Sequence, residues 1–107
     1  MAKLEKTITG SFNDILKRIE DGILSGSMSA TLEDSSDFYI GDTRCSVRVF
    51  ERYSYMGKNR VSLNVTLLGN GNTIKLSAIT SGGSQAMFFK INTFGEEAFL
   101  EKLRELI

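Results

Sequence analysis

Apolar and polar residues alternate along much of the second half of the chain, and this alternation predicts antiparallel strands. Between Val61 and Ala78 it is regular on both sides of Asn70-Gly71. Asn-Gly is a strong signal for a two-residue hairpin loop, because such a loop requires positive φ angles. The register that this loop sets pairs apolar residues with each other: Leu67 with Ile74, Val65 with Leu76 and Leu63 with Ala78.

The neighbouring strands are placed by the same reasoning about burial. A strand from Arg44 to Tyr53 is predicted to turn Cys45, Val47 and Val49 toward the core. An even-membered loop after this strand would point three arginines at the core, so we expect a three-residue loop, Tyr55-Met56-Gly57, which pairs Val49 with Leu63. After Thr80, Ser81-Gly-Gly-Ser84 is expected to close a further hairpin. Its second strand would place Met87, Phe89 and Ile91 in the core.

The two ends of the chain predict helices. A short strand from Lys3 to Thr9 is followed by a helix that Ser11 caps, with an apolar stripe of Phe12, Ile15, Leu16, Ile19 and Ile23. A closing helix is predicted to begin after a capping box of Thr93 and Glu96, with Ala98, Phe99, Leu103 and Leu106 on its apolar stripe.

The segment between the first helix and Arg44 is less regular. Met28, Ala30 and Leu32 alternate with polar residues and predict a strand, and Asp34-Ser-Ser-Asp37 is typical of a turn or loop. Phe38-Tyr-Ile40 fits either an extension of the strand or a packed loop.

These elements predict an α+β fold with the order β-α-β-β-β-β(-β)-α. We expect a single two-layer domain over residues 1–107, in which helices cover one face of an antiparallel sheet. The order resembles the topology of the TATA-binding-protein-like and helix-grip folds. The last quarter of the chain resembles a small bacterial family of unknown function through the segment Ser81-Gly-Gly-Ser-Gln-Ala-Met-Phe-Phe-Lys-Ile-Asn-Thr-Phe-Gly-Glu-Glu-Ala-Phe-Leu100. This resemblance implies no catalytic residue.

Composition narrows the classes of function. The chain has no histidine, which removes the commonest general base and most zinc ligand sets, and we expect neither an enzyme nor a cofactor. Cys45 is the single cysteine, so an internal disulfide is excluded, and burial as a small apolar side chain is expected. No secretory signal or long apolar run is visible. These features predict a cytoplasmic protein that does not enter a membrane.

The predicted registers leave one sheet face uncovered, with cations around apolar residues and no carboxylate. The candidate partner face consists of Arg48, Phe50, Arg52, Arg60, Lys75, Ile79, Phe88 and Lys90. An apolar centre with a basic rim suits an acidic protein surface. The sequence therefore predicts a non-enzymatic interaction module with an acidic partner, although a solvated face would have the same pattern.

Two alternative functions remain open at this point. Phe50 and Phe88 among arginines and lysines could stack bases of single-stranded nucleic acid. The formal net charge of zero counts against that function. An apolar small molecule or lipid could instead bind between the sheet and the closing helix, in a pocket lined by Met28, Met87, Phe89 and Phe99.

Overall fold

The computed structural model describes residues 1–26, 29–54, 59–82 and 89–107, with the side chains of residues 54, 59 and 89–95 excepted. One antiparallel sheet has the strand order β1-β5-β4-β3-β2, and two helices pack against it. The elements are β1 (Ala2–Thr9), α1 (Phe12–Gly26), β2 (Thr31–Ile40), β3 (Thr43–Ser54), β4 (Asn59–Asn70), β5 (Thr73–Gly82) and α2 (Phe89–Arg104). The predicted α+β class and the helix-backed antiparallel sheet are confirmed.

The first strand and the first helix follow the sequence pattern. The hydroxyl of Ser11 accepts a hydrogen bond from the Asp14 amide, as expected of a cap. The buried residues of α1 are Ile15, Leu16, Ile19 and Ile23. Phe12, at the start of α1, lies against Gly69 of β4. A Cβ atom at Gly69 would be only 2.4 Å from the Phe12 ring, so glycine lets the helix approach the sheet here.

The pairing register of the β4–β5 hairpin differs from the predicted register by two residues, and its loop lies one residue later. Its loop is Gly71-Asn72, Asn70 pairs with Thr73, and Leu67 lies opposite Leu76 instead of Ile74. Gly71 has a φ of 61°, which suits glycine, so glycine occupies the first loop position. Because a shift of two residues keeps every side chain on its face, the predicted inward residues of β4 and β5 remain buried.

The β3–β4 pairing is off by one residue, which turns β3 over. Phe50 lies opposite Leu63 and Arg48 opposite Val65, and the ladder ends at Ser54 and Asn59. The predicted loop, Tyr55-Met56-Gly57, lies outside the described residues, but the predicted pairing of Val49 with Leu63 is wrong, because Val49 lies opposite Asn64. Cys45, Val47 and Val49 therefore lie on the face away from the helices, where each is half-buried.

The predicted strand after Thr80 is also wrong for the described residues. The second edge of β5 pairs with β1, so Ile74 lies beside Ile8. Phe89 to Ile91, which were predicted to form part of the strand after Thr80, belong to α2. Residues 83–88, including Met87, lie outside the described residues. Thr93 lies within α2 and does not cap it. Glu96 is buried, and its carboxylate lies 2.7 Å from the amino group of Met1 instead of completing a capping box.

Strand β2 is longer than predicted. Asp34-Ser-Ser-Asp37 is not a turn, and Phe38-Tyr-Ile40 continues the same strand to a two-residue turn at Gly41-Asp42. The register with β3 shifts between Leu32 and Asp34, which leaves a bulge at Glu33. Residues 27 and 28, including the predicted strand residue Met28, lie outside the described residues.

The helices cover only part of the sheet. Helix α2 packs on β5, β4 and β1, whereas α1 lies over β4 and β3 through Phe12 and Glu20. The core between these layers includes Phe50, Leu63, Leu67, Ile74, Phe99 and Leu103. All ten residues of β2 are exposed, so β2 extends beyond the layer of helices.

Candidate functional site

Three members of the predicted partner face lie on the opposite side of the sheet from the one predicted. Phe50 is 0% exposed and Arg48 is 7% exposed, and Arg52 projects from the same side of β3 as these two. The prediction was wrong here because the one-residue slip of β3 exchanged its two faces. Phe50 belongs to the core and is unavailable to a partner.

Of the remaining predicted residues, three have described side chains: Arg60, Lys75 and Ile79. Arg60, Lys75 and Ile79 lie on the face away from the helices, here called the open face. Phe88 lies outside the described residues. Lys90 lies in the first turn of α2 instead of in a strand, and its side chain is not among those described. Described carboxylates also stand on the open face: Glu5, Asp34 and Glu51.

Of the residues predicted for the two alternative sites, Phe50 and Phe99 have described side chains, and both are buried. A base cannot stack on Phe50, because its ring is buried in the core. Of the four residues predicted to line an apolar pocket, only Phe99 has a described side chain, and it too is fully buried. A surface depression of about 510 Å³ lies instead on the open face, where Glu5, Thr66 and Lys75 are among its lining residues.

The arginines that β3 turns toward the helices are held by helix side chains. The guanidinium of Arg44 lies 4.3 Å from the centre of the Phe12 ring and donates a hydrogen bond to Asn13. The guanidinium of Arg52 lies 4.8 Å from the centre of the Phe99 ring. Burial lowers the pKa of Arg52. Aromatic rings can hold arginine at the rim of a core, since the aliphatic stem packs while the charged group meets the ring face.

Arg48 is the centre of an ionic network that ties β2 to the rest of the fold. Its guanidinium lies 2.8 Å from a carboxylate oxygen of Glu20 on α1 and 3.1 Å from one of Asp37 on β2. It also donates to the carbonyl oxygens of Ser36 and Val47. Burial opposes the charge of Arg48, but the hydrogen bonds with Glu20 and Asp37 outweigh it and raise the pKa.

Asp37 is the member of this network that belongs to the outer strand. The Ser46 hydroxyl donates a hydrogen bond to its carboxylate, and this bond lowers the pKa of Asp37, with a smaller contribution from Arg48. Desolvation opposes the shift. On the helix-covered face of the sheet, the network therefore links β2 to β3 and to α1.

No strand of the described residues lies beside the outer edge of β2. β2 is the last strand of the sheet, and its apolar side chains are prominent: Phe38 is 50% exposed, Tyr39 65% and Ile40 80%. From Asp34 to Ile40 the strand pairs with β3 without a register shift, so these seven residues form a regular edge. We call them the β2 edge. The edge of a sheet carries backbone groups that are free to pair with another strand.

The geometry of the turn identifies these free backbone groups. A two-residue turn is closed by a hydrogen-bonded pair, here Ile40 and Thr43, and bonded residues alternate along an antiparallel ladder. The amides of Ser35, Asp37 and Tyr39 therefore point away from β3. In agreement, the Ser35 amide donates to the Asp34 carboxylate at 2.8 Å.

Apolar side chains continue from the β2 edge across the open face. Phe38 lies beside Cys45, and Cys45 lies beside Leu68, in one row across three strands. Ile40 flanks this row at the turn. A small depression of about 130 Å³ lies next to this row, between β2 and β3. It is lined by Asp34, Ser35, Ser36, Val47 and Val49. We call Phe38, Ile40, Cys45, Val47, Val49 and Leu68 the apolar strip.

The opposite edge of the sheet is of a different kind. β1 carries Lys3 and Lys6, and lysines on an edge strand discourage pairing with other strands. The ammonium of Lys6 donates to the carbonyl oxygen of Ile107 at 2.6 Å, and α2 packs against β1. β2 carries no lysine or arginine, and neither helix packs extensively on its described residues, so the two edges are not equivalent.

Sequence reasoning missed the β2 edge, although a signal for it exists. Gly41-Asp42 between Ile40 and Thr43 is a two-residue hairpin signal, and Phe38-Tyr-Ile40 before it is rich in strand-forming residues. The four polar residues of Asp34-Ser-Ser-Asp37 concealed this hairpin, because such a run is typical of loops.

Clusters of metal-binding side chains and membrane-spanning helices are both absent from the described residues. Among them, no group of three or more cysteine, aspartate or glutamate side chains is arranged to hold a metal ion. No helix in the described ranges combines the length and the apolarity needed to cross a membrane.

Comparisons with known proteins identify the family without assigning it a function. No curated protein and no solved structure matches the chain, so the bacterial origin and the resemblance to TATA-binding-protein-like folds stay predictions. The model of the Family of unknown function (DUF6054) matches residues 1–107, as the resemblance to a family of unknown function led us to expect. The chain belongs to this family of unknown function, DUF6054.

Proposed function

We propose that this protein is a non-enzymatic interaction module that binds an extended segment of a partner protein as an additional strand on the β2 edge. The observation that carries the proposal is the β2 edge itself, in which a regular strand has one neighbour and is exposed along its whole length. Sheet extension of this kind is an established way for proteins to recognise extended peptides.

The β2 edge supplies both of the contributions that strand addition requires. The outward backbone groups of Asp37 and Tyr39 offer hydrogen bonds that any extended chain can satisfy. The apolar strip offers contacts to every second side chain of the added strand, because alternate residues share a face. Backbone pairing would supply affinity, and the strip would supply preference among segments.

An acidic partner, which the sequence suggested, is no longer supported by the placement of the arginines. That expectation required Arg48 and Arg52 on the open face, and both project toward the helices. The open face carries charges of both signs instead, which favours a solvated surface. The proposed contact surface is therefore moved from the centre of the open face to its β2 side.

Titration with a neutral peptide tests the proposal. The probe is the heptapeptide Thr-Val-Thr-Val-Thr-Val-Thr, labelled with a neutral fluorophore, and fluorescence anisotropy measures its binding. We expect saturable binding to the unaltered protein and at least a tenfold loss in Tyr39→Pro. Proline removes the outward amide of residue 39 and places its ring where the added strand would lie.

Tyr39→Ala is the matched control for this variant. Both substitutions remove the phenol ring, which lies 5.7 Å from the Arg44 guanidinium, but only proline removes the backbone donor. We expect Tyr39→Ala to bind within about threefold of the unaltered protein, and thermal unfolding verifies that both variants fold. Equal binding by Tyr39→Pro and Tyr39→Ala, or no saturable binding to the unaltered protein, would refute strand addition.

A further inference from the structure

We infer that the partner segment is basic at one end and apolar at the other, with both kinds of side chain on its open-face side. This inference rests on the proposed function, and it names the chemistry of the segment that the β2 edge would accept. It is carried by the uneven distribution of charge and of apolar side chains along the β2–β3 hairpin.

The negative charges of β2 differ in whether they are compensated. Asp37 is paired with Arg48. Glu33 and Asp34 accept hydrogen bonds from Thr31 and from the Ser35 amide, but no cation of the described chain lies within ion-pair distance of either carboxylate. Lysine or arginine in a neighbouring strand would supply the missing charge.

The apolar side chains lie at the other end of the β2 edge. Phe38 and Ile40 are on the open face, as is Asp34, because they alternate along the strand in one register. Across β3, Cys45 continues the apolar surface to Leu68. A segment antiparallel to β2 would therefore pass Ile40 and Phe38 first and Asp34 last.

The same charges argue against a second copy of β2 as the occupant. Each β2 carries Glu33, Asp34 and Asp37 and no cation. Pairing two such strands would concentrate carboxylates along one interface, and like charges on facing strands are destabilising. A basic segment of another protein relieves this charge, whereas a second β2 doubles it.

Two peptides of the same length test the inferred chemistry. Val-Thr-Val-Thr-Lys-Thr-Lys would place its valines beside Ile40 and Phe38 and its last lysine beside Asp34, and Val-Thr-Val-Thr-Glu-Thr-Glu differs only in having glutamate in place of both lysines. We expect the lysine peptide to bind about tenfold tighter at low salt, with a smaller ratio at high salt, since salt screens exposed charges. Ser-Thr-Ser-Thr-Lys-Thr-Lys should bind several-fold more weakly than the valine form.

Charge reversal on the protein supplies the internal control. Asp34→Lys should abolish or invert the preference for the lysine peptide, whereas Glu97→Lys should leave it within about twofold. Glu97→Lys changes the net charge by the same amount, and Glu97 is exposed on α2, which packs on β5, β4 and β1.

The possible outcomes separate this inference from the proposed function. Equal binding of the lysine and glutamate peptides, with both lost in Tyr39→Pro, would overturn the inferred chemistry and leave strand addition standing. Failure of every peptide to bind would overturn strand addition. Light scattering on the protein alone gives the third arm, because a dimer that Tyr39→Pro dissolves would identify the occupant as a second copy and overturn the basic segment.

Discussion

Arg48 shows how one residue can join three elements of this fold. Its guanidinium contacts α1 through Glu20 and β2 through Asp37, although its own backbone belongs to β3. Removing one partner of a buried ionic group costs more than the pair gains over water, because the remaining charge loses its compensation. Asp37 is the partner whose loss can be tested without disturbing the core, since its carboxylate lies on the exposed outer strand.

The stability that Asp37 contributes should depend on pH. The pKa of Asp37 is lowered in the folded state, so its carboxylate stabilises the fold above the unfolded value of about 3.9. This stabilisation is lost as the pH falls through the lower folded value. We expect Asp37→Asn to lower the free energy of unfolding by roughly 0.5–1 kcal/mol at pH 7, with a difference that shrinks below about pH 4. Urea unfolding of both proteins at pH 7, 5 and 3 measures this, and a difference independent of pH would contradict the assignment.

At the scale of elements, β3 shows where sequence reasoning failed and why. Its valines suggested a core face, and its arginines at positions 44, 48 and 52 suggested an exposed face. The folded chain does the reverse, because Phe12, Glu20 and Phe99 come from the helices to receive the arginines. These partners are distant in sequence, so no local pattern could have indicated them.

The β4–β5 hairpin shows what the sequence does determine. The turn residues and the alternation located the hairpin and its buried face, although the loop lies one residue later than expected. Burial fixes which residues face the core, but it does not distinguish registers that differ by two, since both satisfy the same alternation. The glycine at the first loop position decided between them.

The orientation of β3 has a direct consequence for stability. Phe50 was predicted to lie on the uncovered face of the sheet, whereas its 0% exposure now predicts that Phe50→Ala lowers the free energy of unfolding by about 3–5 kcal/mol. Phe38→Ala is the matched control on the neighbouring strand, and we expect it to cost less than about 1 kcal/mol, because half of that side chain is already exposed. Urea unfolding followed by circular dichroism measures both. Similar losses for the two variants would mean that β3 has the opposite orientation.

At the scale of the whole molecule, the layer of two helices is narrower than the five-stranded sheet on which it packs. Two helices cover β1, β5, β4 and part of β3, and the sheet continues one strand further. That last strand is held from the helix side by the Arg48 network and is open along its other edge. This mismatch leaves a strand with free backbone groups at the edge of the sheet, which is what strand addition needs.

Amide hydrogen exchange along β2, followed by NMR, tests the central proposal most directly. In the free protein we expect slow exchange at Phe38 and Ile40, which are bonded to β3, and fast exchange at Asp37 and Tyr39. Saturation with Thr-Val-Thr-Val-Thr-Val-Thr should slow exchange at Asp37 and Tyr39 at least tenfold and leave the amides of β1 unchanged. Binding that leaves Asp37 and Tyr39 exchanging as in the free protein would contradict the β2 edge as the site of interaction.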